Sequence, residues 1–258
     1  MKNDRLIELD SHPTWVRDPG GGSPIMLLLH GGLVGSETNF DQMLPHLGVD
    51  HRIVMFDRRG HGRTADVDGP FSYAAMAKEV AALIDHLGAG PVRAVGYSDG
   101  GNLLLDLATE RPELLESMVL IGANYHHEGL WPPVLDAMAN MARSEAMASA
   151  YGAVSPDGQD HWEVVVEKAM TMYRTQPTWS LEELRTIQTP TLVVAGDDDL
   201  TPLSHSCALY EALPNGQLAI IPGASHAVGW EKPELLGSII TAFLANPAPN
   251  RSMPFFRA

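Results

Sequence analysis

The sequence predicts an α/β fold, with a mostly parallel central sheet flanked by helices and a small helical cap inserted after the middle strands. Three observations carry this expectation. Short apolar runs alternate with longer amphipathic segments, as in strands joined by crossover helices. The runs are apolar on both faces, which suits strands covered from both sides. The alternation also breaks once, over 124–180, where the composition changes.

The strand candidates are 25–30 (IMLLLH), 53–57 (IVMFD), 92–97 (VRAVGY), 118–122 (MVLIG), 191–196 (TLVVAG) and 217–222 (QLAIIP), each ending at Gly, Pro or a polar residue. Between them, 73–87, 101–109, 204–213 and 232–244 place apolar residues at helical spacing. Gly88 stops the first of these helices and Pro214 the third. The chain therefore divides into a first part of the core (1–123), the insertion (124–180), a second part of the core (181–245) and a Pro-rich tail (246–258). Little order is expected in the tail unless Phe255 and Phe256 dock.

Bulk properties exclude several classes of function. Of 258 residues, 17 are basic and 32 acidic, a formal net charge of −15, and the nearest thing to a basic run is the pair Arg58-Arg59. Affinity for nucleic acid comes from Lys and Arg neutralising phosphates, so neither nucleic acid nor an anionic membrane surface is an expected partner. With 45% hydrophobic and 19% charged residues, the chain has ample material for one large core. The single cysteine, Cys207, forms no intramolecular disulfide, which fits a reducing compartment. No apolar run suits a signal peptide, and none approaches the ~20 residues of a membrane span. The expectation is a soluble cytoplasmic protein, monomer or homodimer.

The insertion holds five of the twelve methionines and three of the five tryptophans. Thioethers and indoles suit an irregular apolar pocket, so Trp131, Met138, Met141 and Trp162 are the expected substrate-binding residues. The alternative is a cap with a small core of its own.

Gly96-Tyr97-Ser98-Asp99-Gly100-Gly101 follows a strand and opens a helix, matching the G-x-S-x-G nucleophile elbow in its required context. A turn that sharp strains the central residue and tolerates only small residues two before and two after it, here Gly96 and Gly100. Ser98 is the candidate nucleophile. Centring the turn on Asp99 would place Tyr97 at a position that must be small. Asp99 is instead expected to lend its backbone N–H to an oxyanion hole, and its carboxylate either caps the helix dipole or takes a cationic group.

A serine needs a base, and the base needs an orienting acid. His226, in the loop after the last strand candidate, is the expected base. The acid lies among Asp197, Asp198 and Asp199, of which Asp199 is favoured as the third residue beyond Gly196. Gly32 and Leu33, in the Gly-rich loop after the first strand candidate, are alternatives for the second oxyanion donor. That loop fits neither a dinucleotide fingerprint nor a phosphate loop.

These motifs resemble the α/β-hydrolase superfamily over roughly 25–244. The likeness is carried by LLLHGG, DRRGHGRT, the elbow GYSDGG, the acid loop AGDDDLTP and PGASH. Within it, the chain is similar to small cap-bearing carboxylesterases, valacyclovir hydrolases and C–C-bond hydrolases. The resemblance implies a Ser98, Asp199, His226 triad, a cap between strands six and seven, and a structural role for DRRGHGRT. It implies hydrolysis of a small ester without metal or other cofactor. The same scaffold also hosts lactonases, C–C hydrolases, cofactor-free haloperoxidases and ligand receptors. A C–C hydrolase site tends to add polar groups that bind a carboxylate; the arginines of the insertion are Arg143 and Arg174, with no obvious pair, and Arg58, Arg59 and Arg63 precede it as further candidates.

Overall fold

The computed structural model describes residues 3–22, 24–48 and 51–248. Eight strands form one sheet: β1 (Asp4–Leu9), β2 (His12–Arg17), β3 (Ile25–Leu29), β4 (Arg52–Phe56), β5 (Val92–Tyr97), β6 (Leu115–Ile121), β7 (Thr191–Asp198) and β8 (Gly216–Ser225). Their spatial order is β1-β2-β4-β3-β5-β6-β7-β8. β3 to β8 run parallel, and β1 and β2 form an antiparallel hairpin that joins the sheet through β4. The helices are α1 (Ser36–Phe40), α2 (Tyr73–Leu87), α3 (Asp99–Glu110), α4 (Val134–Ala142), α5 (Glu145–Gly152), α6 (Trp162–Tyr173), α7 (Leu181–Leu184), α8 (Leu203–Ala212), α9 (Val228–Glu231) and α10 (Pro233–Ala245).

The apolar runs predict the six parallel strands and miss the hairpin. β1 lies at the sheet edge with most of its residues exposed, so it has no need of a continuous apolar run. Its turn residues, Asp10 and Ser11, both have positive φ (48° and 61°), as a two-residue hairpin of this hand requires.

Strand alternation sorts the core into two layers. Leu27, Leu29, Val54 and Phe56 pack with Met76 and Val80 of α2 and Leu103 and Leu107 of α3. Met26, Leu28, Met55 and Val95 pack with Phe40 of α1 and Leu236, Ile240 and Phe243 of α10. Each such side chain contributes about 1.5–3 kcal/mol by leaving water. α2 begins where the Ser72 side chain accepts from the Ala75 N–H and ends at Gly88, whose φ of 60° a larger residue adopts only with strain.

The insertion after β6 folds as α4, α5 and α6, and its buried residues, among them Ala142, Tyr151, Trp162 and Val165, continue the core layer of α2 and α3. Polar ties hold it to the 64–68 loop. The Lys168 ammonium lies 2.6 Å from the Asp66 carboxylate, and the Asp66 N–H donates to Asp157. Burial pushes the Asp66 carboxyl up, but Lys168 and His161 outweigh it and hold the group below its ordinary value. Among the described residues no helix is long and apolar enough to cross a membrane. Phe255 and Phe256 lie outside the described residues.

Candidate active site

β5 ends at Tyr97 and α3 starts at Asp99, so Ser98 alone makes the turn, at φ 52° and ψ −115°. A non-glycine residue held there costs on the order of 1–3 kcal/mol and persists only where its surroundings enforce it. The Ser98 N–H donates to Ile121 O (2.7 Å), and the Ser98 carbonyl accepts from the Gly101 N–H (2.8 Å) and the Asn102 N–H (3.1 Å). A Cβ on Gly96 would stand 2.3 Å from Gly100 O, and one on Gly100 would stand 2.1 Å from Leu29 O. The backbone passes too closely at both points for any side chain, which is the physical content of the motif.

Asp199 is the first residue beyond β7 and His226 the first beyond β8. His226 Nδ1 lies 2.6 Å from Asp199 Oδ1. Facing a carboxylate, Nδ1 carries the proton and donates, which leaves the Nε2 lone pair available as a base. Asp199 also accepts from the N–H groups of Leu200 (2.7 Å) and Gly196 (3.2 Å). Burial pushes its carboxyl up, but the bond from His226 and these two N–H groups outweigh burial and hold it below its ordinary value. Asp197 and Asp198 are exposed; Asp197 accepts from the Ala224 N–H, bracing β8. The Tyr97 hydroxyl donates to His226 O (2.5 Å), and its ring meets the imidazole edge-on with centroids 5.9 Å apart.

Ser98, Asp99 and His226 line one small cavity of about 20 Å³. The Gly31–Leu33 loop is pinned beside it: the Gly31 N–H donates to Asn39 Oδ1, and Gly31 O accepts from His30 Nδ1 and Arg58 Nη2. Leu33 has φ 62°. A Cβ on Gly32 would stand 1.8 Å from the Tyr173 hydroxyl oxygen and 2.6 Å from Asp99 Oδ2, so the loop, the elbow and the insertion meet at one point.

The Asp99 carboxylate, at the first position of α3, is already engaged by the protein. It accepts from Tyr73 OH (2.9 Å) and Tyr173 OH (3.0 Å), with Arg58 Nη2 at 3.4 Å. Burial and the neighbouring Asp99 push both phenols well above their ordinary value, so both stay protonated donors. Arg58, from the DRRGHGRT segment, thus braces both places from which oxyanion donors are expected.

The four expected substrate-binding residues separate. Met138 lines the Ser98 cavity. Trp131 (48% exposed) lies on an outer groove, and Met141 (58% exposed) faces away from the core. Trp162 is buried in the insertion and donates to Ala142 O at 2.7 Å. Trp131, Met141 and Trp162 therefore do not line the cavity. Composition marks the segment as apolar, but which face of each helix docks inward is set by partners distant in sequence.

Tyr73, Tyr173 and Gly122 are neighbours that sequence reasoning misses. The two tyrosines carry no local signal, being brought to the site from α2 and α6. Gly122 ends a strand candidate, yet its role is visible only in three dimensions: at φ 60°, a Cβ there would stand 2.8 Å from both Cε1 and Nδ1 of His226. Gly122→Ala is expected to push the imidazole aside, lowering kcat by roughly 10–100-fold with a smaller change in KM, and to cost about 1–3 kcal/mol of stability. Steady-state kinetics and urea unfolding read the two effects.

A model of the alpha/beta hydrolase family matches residues 26–237. The chain is 33% identical over 224 residues to RutD of Pseudomonas savastanoi pv. phaseolicola, a protein named as a carbamate hydrolase, covering 78% of this chain and 86% of that one. It is 29% identical over 266 residues to the non-heme haloperoxidase of Rhodococcus erythropolis, covering 91% and 97%. Among solved structures it is similar to the CarC enzyme, a serine hydrolase involved in carbazole degradation, with a TM-score of 0.77, 24% identity, and 95% and 99% of the two chains covered. At that identity the structural likeness speaks to the fold alone.

Proposed function

Because the chain belongs to the alpha/beta hydrolase family, we propose that it is a serine hydrolase that cleaves the carboxylic ester of a small, largely apolar substrate through an acyl-enzyme. The observation that carries this reading is the strained Ser98 sharing a cavity with a His226 whose Nδ1 is held 2.6 Å from Asp199. Ser98 Oγ attacks the carbonyl carbon while His226 Nε2 takes its proton and passes it to the leaving oxygen. Water, deprotonated by the same nitrogen, then releases the acid and frees Ser98. Asp199 stays a carboxylate throughout and stabilises the transient imidazolium. The backbone N–H of Asp99 and that of Gly32 or Leu33 face the developing oxyanion, each worth roughly 2.7–4 kcal/mol in the transition state. These steps call on no metal or organic cofactor.

A panel of p-nitrophenyl esters, carbamates, lactones and amino-acid esters tests the proposal. Ester turnover above the other classes supports it; a lactone or carbamate turned over much faster than any ester overturns the ester assignment. Charge supplies a further expectation. Asp197 and Asp198 lie exposed at the sheet's carboxyl edge, and 124–180 holds seven acids against three bases. Neutral and cationic esters are therefore expected to react faster than anionic ones, the gap narrowing as salt rises. If anionic esters react fastest at low salt, the surface charge has no part in selection.

A further inference from the structure

We infer that Tyr173, carried by the insertion, is a positioning residue that sets both walls of the oxyanion hole, so that the insertion completes the hole. The inference rests on the acyl-enzyme reading above and deepens it. Tyr173 is the last residue of α6, and its buried side chain helps to line the Ser98 cavity. Its hydroxyl donates to Asp99 Oδ2 at 3.0 Å. The same oxygen fills the space beside Gly32: a Cβ there would stand 1.8 Å from it and 3.0 Å from Tyr173 Cζ. One group of the insertion thus touches both segments from which oxyanion donors are expected, the elbow through Asp99 and the Gly-rich loop through Gly32.

Asp99 opens α3, and its N–H and its carboxylate hang from one Cα, so fixing the carboxylate fixes the direction of the N–H. Tyr73 OH holds Oδ1 at 2.9 Å, while Oδ2 has Tyr173 OH at 3.0 Å and Arg58 Nη2 at 3.4 Å. Hydrogen bonds to an ionised acceptor are shorter and stronger than neutral ones. The three donors therefore hold the carboxylate at both oxygens and offset a charge that would otherwise oppose an oxyanion forming at the Asp99 N–H. With the Tyr173 hydroxyl gone, Oδ2 keeps only the longer of these two contacts, and Gly32 loses the atom packed against it.

The phenol is delivered to a fixed point by the closing turn of α6. Met170 and Met172 are buried, and their carbonyls accept from the Arg174 N–H (3.3 Å) and the Gln176 N–H (2.8 Å). Gln176 Oε1 in turn accepts from the Tyr73 N–H (3.2 Å), and the His127 N–H donates to Pro177 O (2.8 Å). Tyr151 of α5 supplies a control within the same insertion. Its hydroxyl also donates to a carboxylate, Asp157 Oδ2 at 3.2 Å, but Tyr151 is not among the residues that line the Ser98 cavity.

Kinetics on p-nitrophenyl acetate and inhibition by trifluoroacetone, in Tyr173→Phe and Tyr151→Phe proteins, test the assignment. The ketone occupies the hole without being hydrolysed: Ser98 Oγ bonds to its carbonyl carbon, the carbonyl π pair moves to oxygen, and the Ser98 proton passes to His226 Nε2. Tyr173→Phe is expected to raise the inhibition constant about 10–100-fold and to lower kcat by a similar factor, with KM changed less than about threefold, because the charged oxygen alone meets the displaced donors. Tyr151→Phe should move none of the three by more than about threefold. Unchanged kcat and inhibition in a Tyr173→Phe protein that melts normally overturn the inference, as does a change in KM alone. Equal shifts in Tyr151→Phe overturn it too, since Tyr173 would then do no more than fasten the insertion. Should Tyr173→Phe fail to fold, Tyr173→Met, which also lacks the hydroxyl, must show the same split between kcat and KM, and its absence there is equally fatal. An unaltered enzyme that shows no Ser98-dependent turnover and no inhibition by the ketone overturns the acyl-enzyme reading and the inference with it, a result distinct from normal turnover that Tyr173→Phe leaves untouched.

Discussion

Ser98→Ala is expected to abolish turnover of p-nitrophenyl esters, with kcat falling by roughly 10³–10⁶-fold and only oxyanion binding and positioning left to act. The substitution removes the attacking oxygen and little else. The backbone bonds that enforce the turn, from the Ser98 N–H to Ile121 O and from Gly101 and Asn102 to the Ser98 carbonyl, involve no side-chain atom. Alanine bears the same φ of 52° with about the same strain. Far-ultraviolet circular dichroism and the melting temperature should therefore match the parent protein. Undiminished turnover in a correctly folded variant would sink the assignment of Ser98 as nucleophile.

Asp199→Asn should lower kcat by roughly 10⁴-fold, since an amide facing Nδ1 neither holds the required tautomer nor stabilises the imidazolium. Asp197→Asn and Asp198→Asn, both exposed, should each stay within a few-fold of the parent. Equal losses at all three positions would show that charge in the loop, rather than the contact with His226, is what matters. The same variant has a stability signature. The Asp199 carboxyl is held below its ordinary value in the folded protein. Its stabilisation is thus fully present above the unfolded carboxylate value of about 3.9 and is lost as pH falls through the lower folded value. Acid unfolding of the Asp199→Asn protein should lack that share of the pH dependence, as urea titrations between neutral and acid pH would reveal.

The difference between Asp199 and its neighbours also marks where sequence reading runs out. Three consecutive aspartates after Gly196 are equivalent in composition, and only position in a loop of presumed start favours the third. In the structure β7 continues through Asp198, which pairs with Ser225 of β8. Asp197 and Asp198 are therefore residues of an exposed strand end, and Asp199 is the first free to turn inward. The extra strand length depends on pairing with β8, some thirty residues further along, which no local pattern reports.

What the sequence determined by itself is whatever depends on near neighbours in the chain. The doubly covered strands, the stops at Gly88 and before Pro214, and the strand–Ser98–helix turn with Gly96 and Gly100 all follow from steric and solvation rules acting over a few residues. The polar edge hairpin escaped because its exposed strand needs no apolar run. Tertiary structure decided the rest: which aspartate meets His226, that Gly122 must lack a side chain beneath the imidazole, and that Tyr73, Tyr173 and Arg58 converge on Asp99. It also left Met138 alone, of the four residues expected to bind substrate, at the Ser98 cavity. The reason is common to all of these: contacts between residues 26 to 104 positions apart are made when layers pack, and packing selects among faces that composition leaves equivalent.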